Sequence, residues 1–216
     1  MNRTLLVLSG PTHEYIDPVR FIGNASSGLM GKAIAEEALR HNDQIIFISG
    51  PVAPTHLPDL GSAGQVVRVT EAEEMLVAAQ SHFHAADVII FAAAVADYTP
   101  QEKQTEKMAK SEEELILRLK ATPDIAKTLC ASKTENQIAL GFALQTAEGE
   151  KNARRKLKSK NLDGIVLNTP ATLGAESGSF SFLSAKNDAF EPWGTISKTK
   201  CAEHIFQALE KISREK

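Results

Sequence analysis

Two cysteines in 216 residues, Cys130 and Cys201, lie far apart in no paired motif, which excludes a disulfide framework and suits a reducing cytoplasm. Neither has a base nearby in sequence to activate it, so neither is read as a nucleophile. The longest purely apolar run, Val88–Ala96, falls far short of the ~20 residues of a transmembrane helix. Met1–Pro11 lacks the long apolar core and cleavage site of a secretory signal. No charge sign dominates. With 24 basic and 27 acidic residues the formal net charge is -3, so the chain lacks a basic field for nucleic acid or an anionic membrane. Metal-ligand spacing is also missing: His82 and His84, two apart on a predicted helix, point to different faces. The expected location is cytoplasmic, with neither nucleic acid nor membrane as partner.

What is present is a core. The apolar residue types make up 43% and the charged ones 24%, a globular composition. The length, about one and a half times the ~150 residues usual for a domain, favours one domain over 1–216 with insertions. Strands are predicted at Thr4–Ser9, Gln44–Ser49, Gln65–Val69, Asp87–Ala93, Glu114–Leu119, Gln137–Phe142 and Asp163–Leu167. Several are apolar at consecutive positions, as in Ile45-Ile46-Phe47-Ile48, the mark of strands covered on both faces. Helices are predicted at Ser27–His41, Glu71–His84, Pro123–Ala131, Ala147–Lys160 and Thr199–Arg214. Pro123-Asp124 suits a first helical turn, where proline loses no bond and a carboxylate complements the dipole. The alternation predicts an α/β, Rossmann-like doubly wound fold: a mostly parallel sheet with helices on both faces. Ser179–Ser184, with no helix before it, is expected as an antiparallel C-terminal edge. Long connections at Gly10–Ser26, Gly50–Gly64 and Ala94–Glu113 break the regularity. The first and third follow strand carboxyl ends, where open α/β sheets bind ligands.

The first connection runs through Ser9-Gly10-Pro11-Thr12 to Asn24-Ala25-Ser26-Ser27-Gly28 at a helix start. Small residues there either admit an anion to free backbone N–H groups or simply cap and pack the helix. Two nucleotide motifs are excluded. Gly31-Lys32 is followed by Ala33, so there is no P-loop, and a compact Gly-x-Gly-x-x-Gly is missing. The second strand ends in Ser49-Gly50-Pro51, without the acidic residue that holds an adenosine ribose, which disfavours an NAD(P)-dependent reductase. Ala92-Ala93-Ala94 leave room for a planar group at a strand end. Asp97 either caps the next turn or accepts from hydroxyls or a metal. Lys103, Lys107 and Lys110 form either a solvated charge run or a lid that carries an ammonium to phosphate. On the basic helix, Lys156 and Lys160 share one face as a local cationic patch, suited to a polyphosphate or merely to solubility.

Taken in order, these segments resemble the phosphopantothenoylcysteine synthetase family. The resemblance rests on Ser9-Gly10-Pro11-Thr12, Asp17-Pro18-Val19-Arg20-Phe21-Ile22-Gly23-Asn24-Ala25-Ser26-Ser27-Gly28 and Ser49-Gly50-Pro51. It continues through Ala93-Ala94-Val95-Ala96-Asp97-Tyr98, Glu106-Lys107-Met108-Ala109-Lys110, Pro123-Asp124-Ile125, Gly141-Phe142-Ala143 and Lys156 to Lys160-Asn161-Leu162-Asp163. It implies a ligase that activates 4'-phosphopantothenate as an acyl nucleotidylate, with CTP or ATP as co-substrate and Mg2+, and then joins it to L-cysteine. It implies a homodimer and a flexible lid at about 99–113. Asn24 and Lys107 become the implied catalytic residues, Asn24 at the acyl carbonyl and Lys107 at the phosphates. The implied nucleotide contacts are Ala92, Ala93, Asp97, Lys107, Pro123, Asp124, Ile125, Ala126, Phe142, Lys156 and Lys160. Gly10, Arg20, Asn24, Ser26, Ser27, Gly28 and Ala94 are the implied phosphate and substrate contacts. Metal ligands stay unassigned.

The chain departs from the family's usual pattern at Gln145, where a glutamate is common, and at Thr169, where an aspartate is usual. Many members carry a flavin-dependent decarboxylase ahead of this unit. With nothing ahead of Met1, the expectation is a separate decarboxylase and no FMN on this chain. A non-catalytic nucleotide-binding module is the other alternative, and the presence of both Asn24 and Lys107 argues against it.

Overall fold

The computed structural model describes residues 3–110, 114–144, 148–172 and 174–216. In chain order it forms β1 (Thr4–Ser9), β2 (His13–Asp17), β3 (Arg20–Gly23), α1 (Leu29–Arg40), β4 (Gln44–Ser49), β5 (Gly64–Arg68) and α2 (Ala72–Phe83). There follow β6 (Val88–Phe91), β7 (Tyr98–Pro100), β8 (Leu119–Ala121), α3 (Ile125–Cys130), β9 (Ile138–Leu144) and α4 (Gly149–Ser159). The chain ends with β10 (Gly164–Asn168), β11 (Ser177–Ser184), β12 (Glu191–Ser197) and α5 (Lys198–Glu215).

The central sheet has eight strands in the order β12-β11-β10-β9-β6-β1-β4-β5. From β10 to β5 every neighbouring pair is parallel, and β11 and β12 are added antiparallel beyond β10. This is the expected Rossmann-like class with its antiparallel C-terminal edge. The chain winds outward from β1 through β4 and β5, then crosses back to place β6 on β1's other side. The strand order therefore reverses between β1 and β6, and a crevice opens beyond their carboxyl ends.

Alternation within the strands divides the core into two faces. Leu5, Val7, Ile45, Phe47, Val88, Ile90, Leu140 and Val166 pack with α1 and α5. Leu6, Leu8, Ile48 and Ile89 pack with α2 and α3, and Ala139 and Ile165 with α4. The helices take part because their apolar residues recur at helical spacing: in α5, Cys201, Ala202, Ile205, Phe206, Leu209 and Ile212 are all buried. Both cysteines are held as thiols by burial, which pushes Cys130 up to about 11 and Cys201 to about 12.

Several expectations need correction. The predicted strand Glu114–Leu119 is not in the sheet. Residues 114–118 form no strand, Ile116 is 82% exposed, and β8 begins only at Leu119, pairing antiparallel with β7 outside the sheet. Leu115, Ile116 and Leu117 are left exposed, with no apolar layer to face. The first long connection is not structureless, because β2 and β3 form an antiparallel hairpin there. The strand β12 was not anticipated: Pro192 and Gly194 interrupt its pattern, and a register shift beside Ser181 absorbs the irregularity. Helix α1 begins at Leu29 rather than Ser27, because Gly28 at its N-cap is left-handed, with φ 76°. Asp124 is the N-cap of α3 rather than part of its first turn, its side chain accepting from the Lys127 N–H at 3.1 Å. Gln145 and the predicted helix start at Ala147 lie outside the described residues.

Candidate active site

A cavity of about 550 Å³ opens at the carboxyl ends of β1, β6 and β9. Its position follows from topology: α1 on one face and α3 and α4 on the other diverge there, and the segment after β6 runs between them. Of the residues singled out from the sequence, Asn24, Ser26, Ser27, Gly28, Ala92, Ala93, Ala94 and Asp97 line it, as do Pro123, Asp124, Ile125, Ala126, Phe142, Lys156 and Lys160. They come from segments more than a hundred residues apart in the chain. Gly10, Arg20 and Lys107 are not among its lining.

The loop after β6 forms the cavity floor and is fixed by the extension of β1. The Ala94 N–H donates to the Gly10 carbonyl at 2.9 Å, and the Ala96 N–H donates to Thr12 Oγ1 at 3.0 Å. Thr122 Oγ1 donates to the Ala96 carbonyl at 2.5 Å. Gly10 thus acts from beneath the floor. It is buried with φ +76°, and a Cβ there would meet the Gly50 carbonyl oxygen at 3.1 Å. Asn24 stands on this floor: its Nδ2 donates to the Val95 carbonyl at 2.9 Å and the Ala94 carbonyl at 3.3 Å. Next to it, Ser26 Oγ accepts from the Gly28 N–H at 3.4 Å, and Ser9 Oγ donates to the Gly28 carbonyl at 3.3 Å. Among the described residues no side chain caps the start of α1, whose first residues Leu29, Met30 and Gly31 face the cavity. That leaves its N-terminal amides as donors to an anion.

The opposite wall is cationic. Lys160 pairs with the cap residue Asp124 at 2.9 Å. Lys156 is half-buried, and its pKa is lowered by burial and then by the Lys160 charge; Asp97 and Asp124 act in the other direction. Its ammonium is therefore under-solvated, a state that an arriving anion relieves. The Asp97 side chain is exposed at the cavity with no hydrogen bond or ion pair among the described residues. Among those residues no group of three His, Cys, Asp or Glu could hold a metal ion. A single exposed carboxylate, Asp97, is a donor set that suits a hydrated divalent cation carried by a ligand rather than one caged by the protein.

Lys107 sits in a segment that leans on the β2–β3 hairpin. The Gln104 N–H donates to the Ile16 carbonyl at 2.9 Å, and the Met108 N–H to Asp17 Oδ2 at 3.2 Å. Arg20 Nη2 donates to the Met108 carbonyl at 2.6 Å, and its Nε lies 3.4 Å from Asp17 Oδ2. Asp17 is almost fully buried. Burial acts to raise its pKa, but the N–H groups of Val19, Met108 and Arg20 and the Arg20 charge outweigh it, and the net shift is downward. Lys103 is tied separately to Glu71. Arg20 therefore holds the lysine segment from outside the cavity.

The far end of the cavity was not read from the sequence. Asn168, Thr172, Phe180 and Lys198 line it, and Asn168 Nδ2 donates to Thr172 Oγ1 at 2.7 Å. The only available signal was the irregularity after Asn168. Lys198 opens the last helix and reads in isolation as an ordinary solvated terminus.

Fold and cavity together define a Rossmann-like α/β protein with a ligand crevice at the strand-order reversal. Residues 1–212 match the family described as the DNA/pantothenate metabolism flavoprotein C-terminal domain, and the chain belongs to that family. It is 43% identical over 214 residues to the Coenzyme A biosynthesis bifunctional protein CoaBC of Bacillus subtilis (strain 168), covering 98% of this chain and 52% of that protein. It is 40% identical over 195 residues to a cysteine/cysteine sulfinic acid decarboxylase of an unknown prokaryotic organism, covering 88% of this chain and 54% of that protein. The crystal structure of the C-terminal domain of Coenzyme A biosynthesis bifunctional protein CoaBC has a TM-score of 0.84 at 34% identity, with 99% of this chain and 97% of that one covered. The chain spans about half the length of the curated relatives it matches.

Proposed function

We propose that this cavity ligates 4'-phosphopantothenate to L-cysteine at the expense of a nucleoside triphosphate, CTP in the first instance. The observation that carries the reading is the meeting of Asn24, Asp97, Lys156 and Lys160 around one cavity. The family membership and the CoaBC relatives support it. In the first step a carboxylate oxygen of phosphopantothenate attacks the α-phosphorus, and the bond to the departing pyrophosphate breaks. In the second, the cysteine amine attacks the acyl carbon and loses a proton. The nucleoside monophosphate leaves with the oxygen that had bridged the two.

The residues divide this work by their chemistry. Lys156 and Lys160 meet the triphosphate, and Asp97 takes a ribose hydroxyl or the magnesium ion, which would neutralise phosphate charge when bound. Ala92, Ala93 and Phe142, with Pro123 to Ala126, enclose the nucleoside. Ser26, Ser27, Gly28 and Ala94 receive phosphopantothenate, with Gly10 and Arg20 supporting them from outside. Asn24 donates to the acyl oxygen as charge builds on it. The segment 99–113, of which residues 111–113 lie outside the description, is assigned the role of lid. Its closure brings Lys107 from the hairpin to the phosphates.

A homodimer belongs to the same reading. Val19 and Phe21 on the β2–β3 hairpin and Tyr98 and Leu119 on the β7–β8 pair are exposed apolar residues on two small sheets separate from the main one. A second copy is their assigned cover, and sedimentation of the purified protein reads it directly. A cytoplasmic location is part of the proposal; among the described residues no helix is long and apolar enough to cross a membrane. Pyrophosphate release, measured with each of the four nucleoside triphosphates in turn, tests the function. The reading requires that release depend on triphosphate and phosphopantothenate together. Release without phosphopantothenate, or none with any nucleotide, overturns it.

A further inference from the structure

The cavity has a second cationic end. Helices α4 and α5 cover opposite faces of the sheet: α4 packs over Ala139 and Ile165, whereas α5 packs over Leu140 and Val166, their neighbours in sequence. Lys156 and Lys160 approach the cavity from the α4 face, and Lys198 approaches it from the α5 face. The cavity therefore wraps around the ends of β9 and β10, with ammonium groups on both sides.

Lys198 differs from the other lysines that follow Lys160 in the chain. Lys186 is bonded to the Glu215 carbonyl, Lys200 is paired with Glu203, Lys211 with Glu191 and Lys216 with Asp163. The Lys198 main-chain N–H donates to the Glu176 carbonyl at 2.9 Å, but its ammonium has no hydrogen bond or ion pair among the described residues. It is half-buried, and burial lowers its pKa. A cation that is partly desolvated, unpartnered and directed at a cavity is costly unless something anionic completes it. The wall beside it is built rather than loose: Asn168 is held to Thr172, which is buried and donates in turn to the Thr169 carbonyl at 2.7 Å.

We propose that Lys198 is a second phosphoryl-binding residue of this cavity, acting from the sheet face opposite Lys156 and Lys160. The inference rests on the ligase reading, in which two phosphorylated compounds occupy the cavity together. The shared chemistry is a phosphoryl oxyanion, which belongs either to the distal phosphates of the nucleotide or to the phosphate of phosphopantothenate. A lone ammonium at one end and a lysine pair at the other would set the two substrates in a fixed order along the cavity.

Two measurements test it. The first is lysine acylation by a small anhydride, mapped residue by residue on the intact wild-type protein. Lys198 should be protected by CTP or by phosphopantothenate, and the protecting compound identifies the source of the phosphate; protection by neither overturns the proposal. This readout needs no turnover, so it still decides the question if the ligase reading itself fails. The second is steady-state kinetics of Lys198→Gln and Lys198→Arg. The loss of one charge-assisted hydrogen bond should raise KM for the protecting compound about ten-fold or more in the glutamine variant, with the arginine variant recovering most of it. In an active enzyme, KM values for both compounds within two-fold of wild type would overturn it.

Discussion

The side-chain amide of Asn24 donates to the main-chain oxygen of Val95 at 2.9 Å, across the junction between the start of α1 and the end of β6. It ties together the two strand-end segments on either side of the strand-order reversal. The same Nδ2 group is the donor that the proposed reaction needs at the acyl oxygen. Substrate therefore has to compete with, or replace, the bond to Val95. Asn24→Ala should reduce amide formation about a hundred-fold, the loss of one oxyanion donor of roughly 3 kcal/mol, and reduce pyrophosphate release less. Equal losses in the two half-reactions would remove Asn24 from the carbonyl.

Lys107 lies exposed outside the cavity, beside Met108, the residue that anchors its segment to Asp17 and Arg20. Since nothing in the described fold depends on its charge, Lys107→Gln should leave thermal unfolding unchanged. Pyrophosphate release should fall about ten-fold or more if the segment closes to bring that charge to the phosphates. An unaltered rate of release excludes the lysine from activation.

Asp17 gives that segment a pH dependence. Its native pKa lies below the ordinary 3.8, so its contribution to stability is complete above that value and is lost as pH falls through the depressed native value. Asp17→Asn should abolish this increment, and the stability difference between wild type and variant should shrink on acidification. At neutral pH the variant should also exchange the Met108 amide faster. A difference that stays constant with pH would show that the carboxylate charge is not what holds Met108.

Those anchors also show where sequence reading stops. The parallel strands were legible because Ile45-Ile46-Phe47-Ile48 and its counterparts are short runs apolar at consecutive positions, as in a sheet covered on both faces. The β2–β3 hairpin was not, because His13, Tyr15 and Arg20 carry no periodic apolar face and the pairing is irregular between Tyr15 and Asp17. Glu114–Leu119 failed in the opposite sense: its apolar run Leu115-Ile116-Leu117 fits a strand, but only a tertiary partner decides whether one forms. The cavity lining from Asn24 to Lys160 was legible through an ordered set of short segments. Lys198 and Asn168 were not, since their place in the cavity depends on the antiparallel strands β11 and β12, which bring the start of α5 back to the site.

The packing beneath the Asn24 loop is tight enough to test by stability alone. A Cβ on Gly31 would lie 2.1 Å from Ser9 Oγ and 2.4 Å from Ser9 Cβ. Gly31→Ala should cost about 1–3 kcal/mol in unfolding free energy through overpacking. Adding Ser9→Gly removes both clashing atoms, so the double variant should recover at least about 1 kcal/mol relative to the sum of the single effects. Strict additivity in denaturant unfolding would mean that the α1–β1 approach is looser than the geometry indicates.

The most direct test of the account follows an oxygen atom. Phosphopantothenate labelled with oxygen-18 in its carboxylate is incubated with the protein, CTP, magnesium and L-cysteine, and the phosphorus products are examined by mass spectrometry. Activation through an acyl nucleotidylate predicts one labelled oxygen in the nucleoside monophosphate and none in pyrophosphate. Label in inorganic phosphate, or amide formed with no label in the monophosphate, would contradict it.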